Sequence, residues 1–125
     1  MLTERGLEPA IQSLATRAPV PVTVEAPRDA RLPDPVESAA YFVVSEALAN
    51  VAKYAQATHA KVVVRRPHGR VIVEVTDDGV GGADAARGSG LRGLADRVAA
   101  LDGTLRLDSP AGRGTRLYAE IPLAG

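Results

Sequence analysis

The strongest constraint on this chain is an apolar strand that ends in an acidic, glycine-rich turn. The strand pattern covers residues 71–75 (Val-Ile-Val-Glu-Val), and residues 76–82 (Thr-Asp-Asp-Gly-Val-Gly-Gly) follow it directly. Because side chains alternate between the two faces of a strand, Asp77 falls on the same face as the valines. An ionised carboxylate on an apolar face is costly unless hydrogen-bond donors pair with it, and the glycines let a backbone or a ligand come close. The stretch therefore predicts a buried acid at the mouth of a pocket.

A plain β-hairpin is the competing interpretation of this turn, since Asp-Gly between two apolar runs is the strongest short hairpin signal. The residues that follow argue against it. Residues 83–89 are small and polar, and a helical pattern begins after them instead of a partner strand. We therefore interpret the turn as part of a site.

The composition excludes several classes of protein. The chain has 125 residues, 46% of them hydrophobic, which is enough for one domain with a real core. Its 15 basic residues balance 15 acidic ones, and with one Phe, three Tyr and no Trp it lacks the basic surface and aromatic platform typical of nucleic-acid binding. The lack of cysteine excludes disulfides and a cysteine-based zinc site. No hydrophobic run indicates a signal peptide or a membrane span, and a cytoplasmic location fits.

The clearest helix signal starts at Asp34. Asp34 suits the N-cap, Pro35 the first helical position and Glu37 the third, which is a capping-box arrangement. Nothing breaks the pattern until about residue 55, so we expect one long helix. Its apolar face recurs at helical spacing and comprises Ala40, Val44, Ala47, Leu48, Val51 and Ala55.

A separate polar stripe lies on the flank of this helix and consists of Glu46, Asn50 and Lys53. A solvated surface would explain Glu46 and Lys53 alone. Asn50 is different, because asparagine is a mediocre helix former in mid-helix. The stripe is therefore a candidate for function.

The remaining patterns predict two shorter helices and five strands. Helices are expected at about 8–17 and from 91 to 101, with Gly103 as the stop signal of the second. Strands are expected at 20–24, where flanking prolines indicate a sheet edge, and at 61–65, 71–76, 105–107 and 117–121. Interleaved helices and hairpins predict an α/β two-layer sandwich rather than a doubly wound parallel sheet. The expected sheet is mixed, largely antiparallel and five-stranded, with about three helices on one face.

A second glycine-rich stretch, residues 88–93 (Gly-Ser-Gly-Leu-Arg-Gly), opens the later helix. Glycines at a helix N-terminus expose N–H groups and the positive end of the helix dipole, which suits an anion. The stretch does not match the phosphate-binding loop G-x-x-x-x-G-K-[ST], and it does not follow a strand as a Rossmann turn would. By itself it does not specify a ligand.

Four motifs together resemble the GHKL (Bergerat-fold) ATPase and kinase superfamily. Residues 46–55 resemble its N-box, 77–81 its D-x-G-x-G box and 88–94 its second glycine box, and Gly114-Thr115 matches a further element. Order and spacing agree over about residues 35–121. The closest resemblance is to the catalytic, ATP-binding domain of bacterial two-component sensor histidine kinases. Within these it is a subgroup whose glycine-box helix reads G-L-x-G-L-x-x-R-V; Tyr54 stands where that subgroup usually has His.

The resemblance implies a role for each motif. Asp77 would accept a hydrogen bond from the adenine 6-amino group with support from Thr115, and Asn50 would bind Mg²⁺. The catalytic residues would be Glu46, which orients a metal-bound water or assists proton transfer, together with Asn50 and Lys53. Residues 83–89 would be a short lid over the triphosphate. The ATP-binding positions that the resemblance implies are Asn50, Lys53, Tyr54, Asp77, Gly79, Gly81, Gly88, Ser89, Gly90, Leu91, Arg92, Gly93 and Thr115.

The resemblance also implies partners outside this chain. Such kinases transfer the γ-phosphoryl group of ATP to a histidine on a dimerisation helix, for relay to a response regulator. Neither His59 nor His68 lies in the sequence setting of that acceptor. We therefore expect residues 1–18 to be the remnant of a linker helix and residues 19–125 to be a cytoplasmic, monomeric ATP-binding domain. This part of the kinase would contact neither nucleic acid nor membrane, even where the full-length kinase is membrane-anchored.

Two alternatives stay open. A stand-alone relative that resembles anti-sigma-factor serine kinases shares the motifs and lacks the dimerisation helices, but the subgroup-like motif sequences disfavour it. A module that binds ATP and switches shape without transferring phosphate needs only the adenine and phosphate contacts. The joint presence of Glu46, Asn50 and Lys53 disfavours that module.

Overall fold

Three helices and five strands make up the described part of the chain. The structure is a computed structural model and describes residues 7–26, 32–52, 57–80, 89–110 and 112–123. The helices are α1 (Leu7–Arg17), α2 (Asp34–Asn50) and α3 (Ser89–Ala99). The strands are β1 (Val22–Glu25), β2 (Ala60–Arg65), β3 (Arg70–Asp77), β4 (Thr104–Asp108) and β5 (Thr115–Pro122).

The strands form one mixed sheet in the order β1-β2-β3-β5-β4. Only β1 and β2 are parallel, and the three other pairs are antiparallel. β1 lies at the edge, where prolines that cannot donate to a ladder are tolerated. The predicted five-stranded, largely antiparallel sheet is therefore confirmed, as is the two-layer sandwich.

The core lies between the three helices and one face of the sheet. Alternate residues of the central strands are buried on that face: Ala60, Val62, Val64, Val71, Val73, Val75, Leu117, Ala119 and Ile121. They form one cluster with buried residues of all three helices, including Ile11, Val43, Val44 and Val98. The opposite face carries charged side chains that pair across the strands, such as Arg116 with Glu74 and Lys61 with Glu25. One apolar and one charged face is what strict alternation along a strand produces.

The start of α2 differs from the prediction. Pro33 is the cap residue instead of Asp34, and no side chain makes a capping hydrogen bond. The carbonyl of Pro33 accepts from the N–H groups of Val36 and Glu37 at 2.9 and 3.0 Å. Because Pro33 has no N–H of its own, the Glu37 carboxylate reaches one residue further back and accepts from Leu32 N at 3.3 Å. Glu37 therefore bonds back to a backbone N–H before the helix, as a capping box predicts, but the expected N-cap was wrong by one residue.

The end of α2 also differs. The sequence pattern runs to about residue 55, whereas regular α-helix ends at Asn50. The N–H of Val51 still donates to the carbonyls of Ala47 and Leu48. Residues 53–56 lie outside the described part of the chain, so the expected final turn is untested there.

The first helix packs with the rest of the molecule. Leu7 and Ile11 of α1 are buried in the same cluster as the inner face of the sheet. The role of residues 1–18 as the remnant of a linker stays a prediction. Among the described helices, none has both the length and the apolar character needed to cross a membrane.

Candidate functional site

Asp77 and Thr115 lie directly opposite each other at one end of the sheet. The register pairs Val75 of β3 with Leu117 of β5 and then Asp77 with Thr115, so both polar residues share the face of the buried valines. Asp77 is half-buried, and its Oδ1 accepts a hydrogen bond from Gly79 N at 2.8 Å. That bond turns the chain immediately after the strand. The predicted inward acid is therefore in place, with a hydroxyl residue beside it.

The hairpin interpretation of this turn is wrong. β3 pairs with β2 and β5, and the next strand in sequence, β4, pairs only with β5. The turn after Asp77 leads towards α3 instead of a partner strand.

The start of β5 approaches Asp77 through a glycine. Gly114 has a φ of 81°, and a Cβ added there would lie 2.1 Å from the carbonyl oxygen of Asp77. The hydroxyl of Ser109, at the end of β4, lies 2.6 Å from the hydroxyl of Thr115. The Thr115 hydroxyl, on the same face as Asp77, is therefore held by Ser109 from the neighbouring strand.

Asp78 turns away from Asp77. Its Oδ1 accepts from the backbone N of Thr58 at 2.8 Å and of His59 at 3.0 Å, and its Oδ2 accepts from the Thr58 hydroxyl. These bonds, with the hydroxyl of Thr58 first, hold the pKa of the Asp78 carboxyl below its usual value of 3.8. Asp78 therefore anchors the segment before β2, which leaves Asp77 as the acid on the inner face.

Two helix ends meet this end of the sheet. α2 starts at the end of the sheet far from Asp77, because Leu32, just before the helix, lines a groove there with Val64 and Val71. After Asn50 the chain enters β2 at Ala60, which is paired with Asp77. α2 therefore runs towards Asp77. α3 runs the other way, because it follows the Asp77 turn and leads to Gly103, which lies against the carbonyl of Glu120.

The antiparallel arrangement of α2 and α3 is supported where they touch. The guanidinium carbon of Arg97 lies 4.2 Å from the centre of the Phe42 ring. Asn50 is eight residues beyond Phe42 and Ser89 is eight residues before Arg97, so each is about 12 Å along its helix from this contact. The C-terminal end of α2 and the first turn of α3 therefore lie at the same end of the molecule.

The structure describes most of the sequence-predicted site. Glu46 and Asn50 are half-buried and one turn apart near the end of α2. Ser89, Gly90 and Leu91 form the first turn of α3, and Arg92 and Gly93 follow as exposed residues. Gly79 lies in the turn after Asp77. The predicted positions outside the described part of the chain are Lys53, Tyr54, Gly81 and Gly88, together with 83–88 of the expected lid.

Sequence reasoning missed Ser109 and Thr58 as contributors. Both are hydroxyl residues in short connections, where such residues are common without any role in a site. Their contacts with Thr115 and Asp78 depend on which strands are neighbours, which no local pattern reveals. The described residues contain no group of three or more His, Cys, Asp or Glu side chains that could hold a metal ion.

Comparison with known proteins agrees with this arrangement. Residues 36–125 match the family described as "Histidine kinase-, DNA gyrase B-, and HSP90-like ATPase". The chain is 38% identical over 97 residues to the oxygen sensor histidine kinase NreB of Staphylococcus carnosus, a match that covers 74% of this chain and 28% of that protein. It is 33% identical over 88 residues to the sensor histidine kinase ComP of Bacillus subtilis, covering 66% of this chain and 11% of that protein.

A solved structure supports the same assignment. The histidine kinase domain of the blue-light activated histidine kinase of Erythrobacter litoralis EL346 superposes with a TM-score of 0.75 at 26% identity, covering 92% of this chain and 57% of that one. The chain thus spans about a quarter of the first kinase named above and about a tenth of the second. It belongs to the family of histidine kinase-, DNA gyrase B- and HSP90-like ATPases, and the relatives that it resembles within that family are sensor histidine kinases.

Proposed function

We propose that this chain is the ATP-binding catalytic domain of a sensor histidine kinase. It would bind Mg²⁺–ATP and transfer the γ-phosphoryl group to a histidine on a dimerisation helix outside this chain, from which a response regulator takes it. The observation that carries the proposal is the Asp77–Thr115 pair at the end of the sheet where α2 ends and α3 begins. The two kinase relatives and the structural neighbour support it.

The proposed adenine contact follows from hydrogen-bond chemistry. An ionised carboxylate only accepts hydrogen bonds, and the 6-amino group of adenine donates them. Guanine carries an acceptor oxygen at that position, so Asp77 would repel it. Thr115 would support the base from the neighbouring strand through a bridging water, because its hydroxyl both donates and accepts hydrogen bonds. Gly79 would keep the turn thin beside the base.

The proposed phosphate end uses the two helix termini. The first turn of α3, where N–H groups have no partner within the helix and the helix dipole has its positive end, would face the phosphates. Asn50 would hold Mg²⁺ through its amide oxygen, which fits a cation that prefers oxygen ligands and keeps waters and phosphates in its shell. Bound there, Mg²⁺ would neutralise phosphate charge. Lys53 would add a positive point charge near the same phosphates.

The proposed transfer requires no nucleophile from this chain. The histidine nitrogen of the partner helix would attack the γ-phosphorus, the bond to the bridging oxygen would break, and ADP would leave. The chain's own contribution would be to position the triphosphate and stabilise its charge. Glu46, one turn before Asn50, would orient a water or accept a proton near the reacting groups.

Calorimetric titration with Mg²⁺–ATP and Mg²⁺–GTP tests the nucleotide site. We expect ATP but not GTP to bind, and Asp77→Asn to weaken ATP binding roughly 10- to 150-fold, the range for a hydrogen bond to a charged group. Asp34→Asn is the matched control, because it neutralises an exposed carboxylate at the far end of α2. Wild-type protein that binds neither nucleotide, or an Asp77→Asn variant with unchanged affinity, would contradict the proposed site.

The acceptor is tested with radiolabelled ATP and the dimerisation helices of a sensor histidine kinase of this family, supplied in trans. Phosphohistidine is labile to acid and stable to base, so acid-labile label on the helices would support the proposal. Acid-stable label on a serine of a partner protein would favour the serine-kinase alternative. Tight ATP binding with no transfer to either acceptor would favour the non-catalytic module.

A further inference from the structure

Asp78 ties together two segments that the site needs in fixed relation. It follows the proposed adenine ligand Asp77, and it bonds to Thr58 and His59, which precede β2 and follow α2. We propose that Asp78 is a positioning residue that couples the adenine end of the site to its metal and phosphate end. The inference rests on the proposed function and deepens it.

The contact is made from both sides. The carboxylate accepts from Thr58 N at 2.8 Å, from His59 N at 3.0 Å and from the Thr58 hydroxyl. In return, the backbone N of Asp78 donates to His59 O at 3.3 Å. The last register pair between β2 and β3 is Ala60 with Asp77, so these bonds continue the strand pairing by one residue beyond the ladder. The backbone bond alone is long, which leaves the carboxylate as the main tie.

The segment before β2 is also held on its other side. The Nε2 of His59 lies 3.1 Å from the hydroxyl of Thr23 in β1, and Ala60 N donates to Pro21 O at 3.0 Å. The segment 58–59 is therefore fixed between the edge strand and the turn after β3. Loss of the Asp78 carboxylate would release the segment on the side of the turn after β3.

The segment and the end of α2 rest on the same core, because Ala57, directly before Thr58, packs against the cluster in which Val51, directly after Asn50, is buried. Asn50, the proposed Mg²⁺ ligand, lies eight residues before Thr58 along the chain. ATP would have to satisfy Asp77 with its base and Asn50, through the metal, with its phosphates. A ligand that must make two contacts at once binds more tightly when the fold already holds the two contacting groups at the right spacing. No conformational entropy is then lost on binding to bring those groups into place. Asp78 would set that spacing without touching the nucleotide.

A positioning role and a purely structural role predict different results. If Asp78 only stabilises the fold, its removal lowers the melting temperature and leaves the binding properties of the folded fraction unchanged. If it couples the two ends, its removal lowers the factor by which Mg²⁺ strengthens nucleotide binding. ADP with and without Mg²⁺ isolates that factor, because the base and ribose are the same in both titrations.

The experiment is a calorimetric titration of wild type, Asp78→Ala, Asp78→Asn and Thr58→Val with ADP, with Mg²⁺ and with a chelator. In Asp78→Ala we expect the Mg²⁺ enhancement to fall at least about tenfold, since three hydrogen bonds are lost, while metal-free ADP affinity changes by less than about threefold. Asp78→Asn should retain the enhancement, because the amide oxygen can accept from both N–H groups and its NH₂ can donate to the Thr58 hydroxyl. Thr58→Val removes one bond and should lower the enhancement about fivefold.

The outcomes separate the inference from the proposed function. An Asp78→Ala variant that keeps the wild-type enhancement, or loses affinity equally with and without Mg²⁺, would overturn the positioning role. Where Asp78→Ala does not fold, Thr58→Val decides in the same way: an unchanged enhancement overturns the role. Wild-type protein that does not bind ADP under either condition would instead overturn the proposed function itself.

Discussion

Gly114 lies against the backbone of Asp77 so closely that no larger residue fits. A Cβ at Gly114 would stand 2.1 Å from the carbonyl oxygen of Asp77 and 3.4 Å from the Cα of Asp78, and Gly114 has a φ of 81°. The residue before β5 is therefore glycine, the only residue type that allows both the left-handed backbone and the close approach. The opposition of Thr115 to Asp77 depends on this glycine, because Thr115 is the next residue.

Gly114→Ala should destabilise the fold and misplace the site. A left-handed backbone costs a non-glycine residue about 1–2 kcal/mol, and here the contact with Asp77 adds to it. Gly112→Ala is the matched control, since Gly112 has the same φ of 81° but no atom within 4 Å of an added Cβ. Urea unfolding should show a loss for Gly112→Ala of about that strain and a larger loss for Gly114→Ala. Equal losses in the free energy of unfolding for the two variants would show that the Asp77 carbonyl can move away from the added Cβ without destabilising the fold.

Glu37→Ala should destabilise the start of α2, whereas Asp34→Ala should not. Glu37 is 1% exposed and accepts from Leu32 N, so its loss leaves a buried N–H unsatisfied at a cost of about 1–3 kcal/mol. Asp34 is exposed and no side chain caps the helix, so Asp34→Ala should cost less than about 0.5 kcal/mol. Denaturant unfolding of the two variants measures both values. A loss of about 1 kcal/mol for Asp34→Ala would instead support Asp34 as the N-cap of α2, as the sequence predicts.

How far the sequence could predict this site depends on the range of each interaction. The inward position of Asp77 follows from alternation along one strand, since Val71, Val73 and Val75 fix the face. The polar stripe of Glu46 and Asn50 follows equally from helical periodicity. Both are local rules, and the structure confirms them. The opposition of Asp77 by Thr115 needed the family resemblance, because a register between strands so distant in sequence has no local signature.

The N-cap of α2 and the role of Asp78 were not predicted correctly, because both depend on contacts that the local sequence does not specify. Asp34 was expected to cap α2 because aspartate is a preferred cap, but Pro33 already has the extended backbone, with φ of −52° and ψ of 143°, that a cap residue adopts. The role of Asp78 could not be foreseen, because two adjacent aspartates in a turn look alike until the neighbouring strand is known. In the folded sheet, Asp77 lies on the inner face, whereas Asp78 accepts hydrogen bonds from Thr58 and His59.

Phe42→Leu should loosen the contact between α2 and α3. Phe42 is 38% exposed, and the Arg97 guanidinium lies 4.2 Å from its ring centre, a cation–π geometry worth about 0.5–1 kcal/mol at an exposed site. A double-mutant cycle of Phe42→Leu with Arg97→Gln, measured by denaturant unfolding, should give a coupling of that size. Arg92→Gln, another exposed arginine of α3, is the control and should show no coupling with Phe42. A coupling near zero for Arg97 would mean that the contact contributes no stability.

The Asp78 anchor should make stability depend on pH in acid. Hydrogen bonds from Thr58 and His59 hold the folded-state pKa of Asp78 below its usual value of 3.8, so the native state prefers the ionised carboxyl. The stabilisation is therefore fully present above that usual pKa and is lost as the pH falls through the lowered, folded-state pKa. Asp78→Asn has no charge to lose, so its melting temperature should lie below that of wild type at neutral pH, and the gap should close as the pH falls below the usual pKa. Asp34→Asn controls for the loss of one carboxylate elsewhere on the surface. A gap between wild type and Asp78→Asn that stays constant down to about pH 2 would show that the ionised form of Asp78 is not the one that these bonds stabilise.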